Sequence, residues 1–261
     1  MTEPERDPVR FEVDEGVATI TLDRPETLNL VSVAVRDALI EAILAARDHP
    51  DVRAVVLAAA GRHFSAGADL SEFGSADSVF EARRIRWDRD PWGPLWSLPQ
   101  PVVVALHGYS LAAGLEMALL CDVRLAAADT VVGLPETRLG MLPAAGGTQS
   151  LTRAVGPAAA LPVVLTADNI PATEALARGI VHRIVGDDAA GVDAAAAGLA
   201  ARWASMEPAA LRAAKRALRV AGDLPLREGL AVERRLAAGV RATPGAGAEE
   251  GRGPARVEEE R

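Results

Sequence analysis

The short apolar run Val52–Ala59 constrains this chain more than any other feature. It has strand length and no apolar–polar alternation, the pattern of a strand buried on both faces. Such a strand needs cover from other elements, and the neighbouring segments are suited to give it. Val35, Leu39, Ala42, Ile43 and Ala46 recur at helical spacing and predict an amphipathic helix over 33–47. Upstream, residues 11–23 read as a β-hairpin turning at Asp14-Glu15-Gly16, with Ala18, Ile20 and Leu22 alternating against Val17, Thr19 and Thr21. Downstream, the pattern predicts a helix over 78–98 carrying Trp87, Trp92 and Trp96, a strand Val102–Leu106, a helix 112–121 and a strand 123–127. Beyond Pro135 helices are expected over 147–155, 157–165, 172–178, 189–205, 208–220 and 225–241, with one short strand near 180–185. Strands joined by helices, followed by a helical end, indicate an α/β fold with a C-terminal helical appendage. The expected organisation is a core over 1–188, a helical region over 189–242 and a flexible tail over 243–261, the tail being poor in large apolar groups.

Composition narrows the function classes. No apolar run approaches the ~18 residues that span a bilayer, and the charged start MTEPERDPVR is not followed by an apolar signal region. A cytoplasmic location is therefore expected. Cys121 is the only cysteine, which excludes an internal disulfide and a cysteine-based zinc cluster. A net charge of −8 argues against nucleic acid as a partner. It leaves room for a phosphorylated ligand held by local arginines or helix N-termini. Lys215 is the only lysine, so such contacts must come from arginine.

Three segments carry the chemistry. Arg62–Leu70 is a loop of small residues after the buried strand, and Ala66, Gly67 and Ala68 leave their N–H groups unobstructed; Asp69 is suited to cap the turn that follows. Gly108–Glu116 is a strand-to-helix turn opened by Ala112, Ala113 and Gly114. Glu116 follows Ala113 by three residues, so a carboxylate and the unpaired amides of a helix start share one wall. In Gly133–Glu136, Pro135 suits a first helical position and Glu136 comes directly after it.

Together with Asp23–Asn29, Phe64–Asp69, Cys121-Asp122 and Gly140–Gln149, these segments resemble the enoyl-CoA hydratase/isomerase, or crotonase, superfamily over roughly residues 10–240. The resemblance implies the crotonase spiral, in which ββα units stack into two sheets, with a C-terminal helical region that mediates trimer contacts. A homotrimer, or a hexamer built from two trimers, is the implied assembly. It implies that Ala68 and Ala113 supply the two backbone N–H groups of an oxyanion hole. It implies catalytic roles for Glu116, as base toward water, and Glu136, as proton donor. Substrate contacts fall to Arg24, Leu28, Ala66, Gly67, Asp69, Leu70, Gly114 and Pro135. The substrate is a CoA thioester, with no metal or other cofactor expected. Relatives that keep one glutamate perform isomerisation, decarboxylation or carbon–carbon cleavage, and both glutamates here favour hydration over those reactions and over a silent acyl-CoA-binding protein.

The chain departs from the family pattern where Ala112-Ala113 replaces Gly-Gly, where Ser71 and Glu26 stand in place of basic residues, and in its C-terminal close. Arg24 and Arg62 remain as candidates for the CoA phosphates. His49, His63, His107 and His182 lack metal-ligand spacing, and His63 and His107 are expected to support the site loops. Ser65 and Ser110 lack a base partner at a recognisable spacing, and Cys121 reads as a small core residue.

Overall fold

A computed structural model describes residues 7–73, 77–81 and 88–240. The hairpin forms from β1 (Val9–Asp14) and β2 (Val17–Leu22), turning through Glu15 and Gly16 at φ 44° and 81°. Glycine takes the second of these angles without a side-chain penalty. The pairing is antiparallel with Val9 opposite Leu22. From β2 onward the sheet is parallel: β3 (Ala54–Ala59), β4 (Val102–Leu106), β6 (Val123–Ala126) and β9 (Arg183–Ile184) follow in the order β1-β2-β3-β4-β6-β9.

Burial on both faces of β3 follows from alternation between two cores. Val55, Leu57 and Ala59 belong to one apolar cluster, Ala54, Val56 and Ala58 to another. In β4, Val102, Val104 and Leu106 join the first and Val103 and Ala105 the second. Helix α1 (Val33–Asp48) lends Val35, Leu39 and Ile43 to the first cluster. Its start is held by Ser32 Oγ, which accepts from Val35 N, and by the Glu72 carboxylate, which accepts from Val33 N at 2.9 Å. A later helix, Ala189–Ala204, lends Val192, Ala196 and Ala200 to the second cluster. That spacing of four places the three residues on one helical stripe.

Helix α2 (Trp92–Ser97) is shorter than the expected segment 78–98, because the described chain leaves helical geometry at residues 89–91. Pro91 disfavours helical backbone at the residue before it, and the Asp90 carboxylate accepts from Trp92 N at 3.0 Å, starting a new helix there. Trp87 and the tail 243–261 lie outside the described residues. Trp92 packs against the first core, whereas Trp96 is exposed.

A second, three-stranded sheet is present, as the family resemblance implies, but its strands were not expected from sequence patterning. It joins β5 (Tyr109–Leu111), β7 (Val131–Gly133) and β8 (Ile170–Pro171) in the order β5-β7-β8. Strands of two or three residues are too short to show a period in sequence. The helices that follow the sheets are α3 (Ala113–Leu120), α4 (Gly147–Val155), α5 (Pro157–Thr166), α6 (Ala172–Ala177) and α7 (Ala189–Ala204).

Two compact units emerge, Met1–Arg212 and Ala213–Arg261. Helix α8 (Pro208–Val220) runs into the second, which also contains α9 (Leu226–Gly239). Neither α8 nor α9 buries a residue, and Leu218, Leu226 and Leu230 are exposed. No described helix is long and apolar enough to cross a membrane.

Candidate active site

The loop 64–69 is threaded between two neighbours. On one side Ser65 pairs with Ser110 beside β5: Ser65 N donates to Tyr109 O and Leu111 N to Ser65 O. On the other, Val31 pairs with Ala68: Val31 N donates to Gly67 O at 2.8 Å and Asp69 N to Val31 O. That pattern turns the Ala68 N–H away from Val31, and it has no hydrogen bond to any described residue. Buried Asn29 fixes the loop from behind. Its Nδ2 donates to Ala60 O and His63 O, its Oδ1 accepts from Arg24 N, and its carbonyl accepts from Ser65 Oγ. Asp69 caps the turn as expected, accepting from Ser71 N at 3.0 Å and from Ser71 Oγ.

Strand β5 runs straight into α3, and the join is tight. Gly67, at φ 111°, lies so near Ala112 that a Cβ on it would stand 2.7 Å from the Ala112 Cβ. A Cβ on Gly114 would stand 2.8 Å from the Ser65 Cβ. Ala112 itself has φ 49° and ψ −125°, a conformation natural to glycine and strained for alanine. Its N–H donates to Gly133 O, whereas the N–H of Ala113, at the first position of α3, is unbonded among the described residues. The chain thus presents two unpaired backbone amides, Ala68 and Ala113, from two segments joined by the Gly67–Ala112 contact.

Every residue of α3 is buried, including Glu116 at 3% exposure. A charged group so placed requires partners. Glu116 Oε1 accepts from Ala145 N at 2.9 Å and from Gly147 N at 2.8 Å, at the start of α4. Donation by two N–H groups to one oxygen, at a helix N-terminus, favours a carboxylate.

Glu136 is brought to the same region by the second sheet. Leu111 pairs with Gly133, so the strand leading to Glu116 and the strand leading to Glu136 end side by side. Pro135 opens a 3-10 turn, Pro135–Leu139, and Glu136 is its second residue, 8% exposed. Its Oε2 is buried with no hydrogen-bond partner among the described residues. Burial pushes the Glu136 carboxyl above its usual value, opposed in part by a contact with its own backbone.

The remaining expected residues divide. Ala66, Gly67, Asp69 and Gly114 sit within the threaded loop and the helix start. Leu28, at φ 56°, is joined to that loop through its carbonyl, which accepts from Ala66 N, and its side chain is exposed, as is that of Leu70. The Arg24 guanidinium is engaged by Glu26 at 2.7 Å, and Arg62 is exposed. His63 supports the site as expected: its Nδ1 accepts from Tyr109 N at 3.0 Å and its ring stacks on Tyr109. His107 is 1% exposed, and burial pushes its value down. Neither His107 ring nitrogen is hydrogen-bonded among the described residues. His182 is pushed down to about 4 by burial and by the adjacent Arg124 guanidinium.

Sequence patterns gave no warning of the supporting roles of Asn29, of Ser65 as a donor to the Asn29 carbonyl, or of the amides at 145 and 147. Nor did they flag buried Arg124, whose Nε donates to Ile180 O and Nη1 to Cys121 O. The glycine pair at 146–147 was the one visible sign, since paired glycines mark close backbone approach. Among the described residues no group of three or more His, Cys, Asp or Glu side chains is placed to hold a metal ion.

Known proteins share this sequence pattern and fold. Residues 12–251 match the model of the enoyl-CoA hydratase/isomerase family. A 2,3-dehydroadipyl-CoA hydratase of Escherichia coli is 37% identical over 222 residues, 85% of this chain and 86% of that protein. The crystal structure of an enoyl-CoA hydratase from Bacillus anthracis superposes with a TM-score of 0.83 at 32% identity, covering 89% of this chain and 90% of that one. A protein of Thermobifida fusca, solved in complex with CoA, gives a TM-score of 0.81 at 29% identity over 89% of this chain and 92% of its own. With its fold and its sequence both matching, this chain belongs to the enoyl-CoA hydratase/isomerase family.

Proposed function

We propose that the protein is an enoyl-CoA hydratase, a hydro-lyase that adds water reversibly and syn across the double bond of a trans-2-enoyl-CoA thioester. One observation carries this reading: two buried glutamates stand at the ends of paired strands in unlike surroundings. Glu116, held by two N–H donors, is suited to act as a carboxylate, and Glu136, desolvated with an unpartnered oxygen, is suited to hold a proton. Hydration needs that division. The Glu116 carboxylate takes a proton from water while the water oxygen bonds to Cβ. The double-bond electrons move toward Cα and the thioester oxygen, and Glu136 delivers its proton to Cα. The net change is the addition of one water.

The developing enolate oxygen is received by the N–H groups of Ala68 and Ala113, which are unbonded within the described chain. One such donor is worth about 10²–10³ in rate. Arg24, Leu28, Ala66, Gly67, Asp69, Leu70, Gly114 and Pro135 provide the binding surface, with half-buried Arg24 and exposed Leu28 at its outer edge. Arg62, exposed and not bonded to an acid among the described ion pairs, is a candidate for a CoA phosphate alongside Arg24. The exposed Leu218, Leu226 and Leu230 of the terminal helices suit burial in a homotrimer or a hexamer. Light scattering of the purified protein tests that assembly.

The activity is tested by following the enoyl-thioester absorbance of crotonyl-CoA with the wild type, Glu116→Ala and Glu136→Ala. Loss of absorbance with the wild type, abolished in both variants, supports the reading. Tight thioester binding without turnover contradicts it for this substrate, and turnover untouched by either substitution contradicts the assigned roles.

A further inference from the structure

We propose that the turn 143–147 is the device that positions Glu116, with Gly147 as its positioning residue. The geometry stands alone; its kinetic consequence rests on the hydratase reading.

Gly147 is not forced by backbone conformation, since it is not among the residues with positive φ. Space forces it. A Cβ there would stand 2.7 Å from Glu116 Oε1, 2.9 Å from Glu116 Cγ and 2.9 Å from Pro143 Cβ. Its neighbour Gly146 shows the opposite requirement: φ is 103°, yet a Cβ would meet only Leu120 Cδ2, at 4.0 Å. Adjacent glycines therefore have different tasks. Gly146 turns the chain into α4, and Gly147 lets the first amide of that helix close on the carboxylate. With Ala145 it places two N–H groups on a single oxygen, at 2.9 and 2.8 Å, which fixes the Glu116 side chain in one direction. Any side chain at 147 must displace the carboxylate or push the turn away from it.

The test compares Gly147→Ala, Ala145→Pro and the control Gly198→Ala, whose Cβ meets nothing within 4 Å in the middle of α7. Alanine suits a helix better than glycine, so Gly147→Ala leaves folding intact on helix propensity alone. Crystal structures are expected to show Glu116 Oε1 withdrawn from the amides of 145 and 147 in Gly147→Ala. Kinetically, kcat falls about 10²-fold, the cost of a small misplacement of a reacting group, while KM changes by less than about twofold. Ala145→Pro removes one donor and puts its ring Cδ where that N–H met Glu116 Oε1, so it too displaces the carboxylate and costs at least about tenfold in kcat. Adding Glu116→Gln to Gly147→Ala costs little more, because the two substitutions remove one function. Full kcat in Gly147→Ala, or losses that multiply with Glu116→Gln, would overturn the proposal. So would a crystal structure with Glu116 unmoved. If the wild type hydrates no enoyl thioester while Glu116 still moves in Gly147→Ala, the hydratase reading fails and the positioning role stands.

Discussion

Glu116 and Glu136 are the same side chain in two settings. Glu116 lies on a fully buried helix and is met by two backbone N–H groups. Glu136 lies on a single 3-10 turn, with one oxygen buried and unpartnered, and burial raises its value. The first setting stabilises charge and the second stabilises a proton. Difference in local hydrogen bonding, more than in burial, separates the two, since both are less than a tenth exposed. Under the proposed reading, backbone geometry is what distinguishes acid from base on two neighbouring elements.

The largest expected effects come from removing either partner. Glu116→Gln and Glu136→Gln should each lower kcat about 10²–10⁴-fold, the range for general acid–base groups, and they should part company in stability. Glu136 has a folded value raised above 4.5. Its proton therefore favours the folded state fully below the unfolded value, and that contribution is lost as pH rises through the folded one. Glu136→Gln, which cannot ionise, should gain stability over the wild type as pH rises through this window. Glu116→Gln, whose amide oxygen can keep both N–H bonds but without the charge that strengthens them, should lose about 1 kcal/mol at neutral pH. Thermal melts at pH 4 and pH 8 check both. If the two variants shift alike, the settings are not different in the way described.

Next in size is Gly67→Ala. Its Cβ would press on Ala112 and shift the neighbouring Ala68 amide. A loss of about 10²–10³ in kcat is expected, as for one misplaced oxyanion donor. Steady-state kinetics, with circular dichroism to confirm folding, measure it. Ala112→Gly acts at the same contact in the opposite sense. Relief of a strained alanine is worth ~1–2 kcal/mol, and glycine's extra freedom in the unfolded chain returns about 0.4–1 kcal/mol. Denaturant unfolding should show a net gain of up to about 1.6 kcal/mol.

The smallest effect on activity, none, is expected at Asp193. On α7 it repeats the setting of Glu136 away from the site: burial raises its value from 3.8 to about 6, and Oδ1 is buried without a partner among the described residues. Its stabilising proton is present below 3.8 and lost as pH rises through about 6. Asp193→Asn should therefore raise Tm by roughly 2–4 °C at pH 8, gain nothing at pH 3.5, and leave kcat unchanged.

Much of the fold was legible because its long elements declare their period. The helix α1, the strand Val102–Leu106 and the helices 147–155 and 208–220 fall where patterning puts them. The second sheet was implied only by the resemblance; its strands β5, β7 and β8 were not legible, since they hold two or three residues each, and yet the β5–β7 pairing carries both glutamates to one place. In the site, Glu116 and Glu136 stood out through the family resemblance, one beside the amides of a helix start and the other after Pro135. Their unlike settings did not, because Glu116 is met by amides 29 and 31 residues downstream, a contact that exists only after folding. The strain at Ala112 was foreseeable as a condition: an alanine where glycine is usual matters only if φ is positive, and it is 49°.

Difference infrared spectroscopy of the protonated carboxyl band, wild type minus Glu136→Gln across a pH series, tests the two-state contrast most directly. The account predicts a protonated Glu136 band that persists above pH 4.5 and is absent from the corresponding Glu116→Gln difference. Loss of the Glu136 band at or below pH 4.5, or a persistent band that belongs to Glu116, would contradict it.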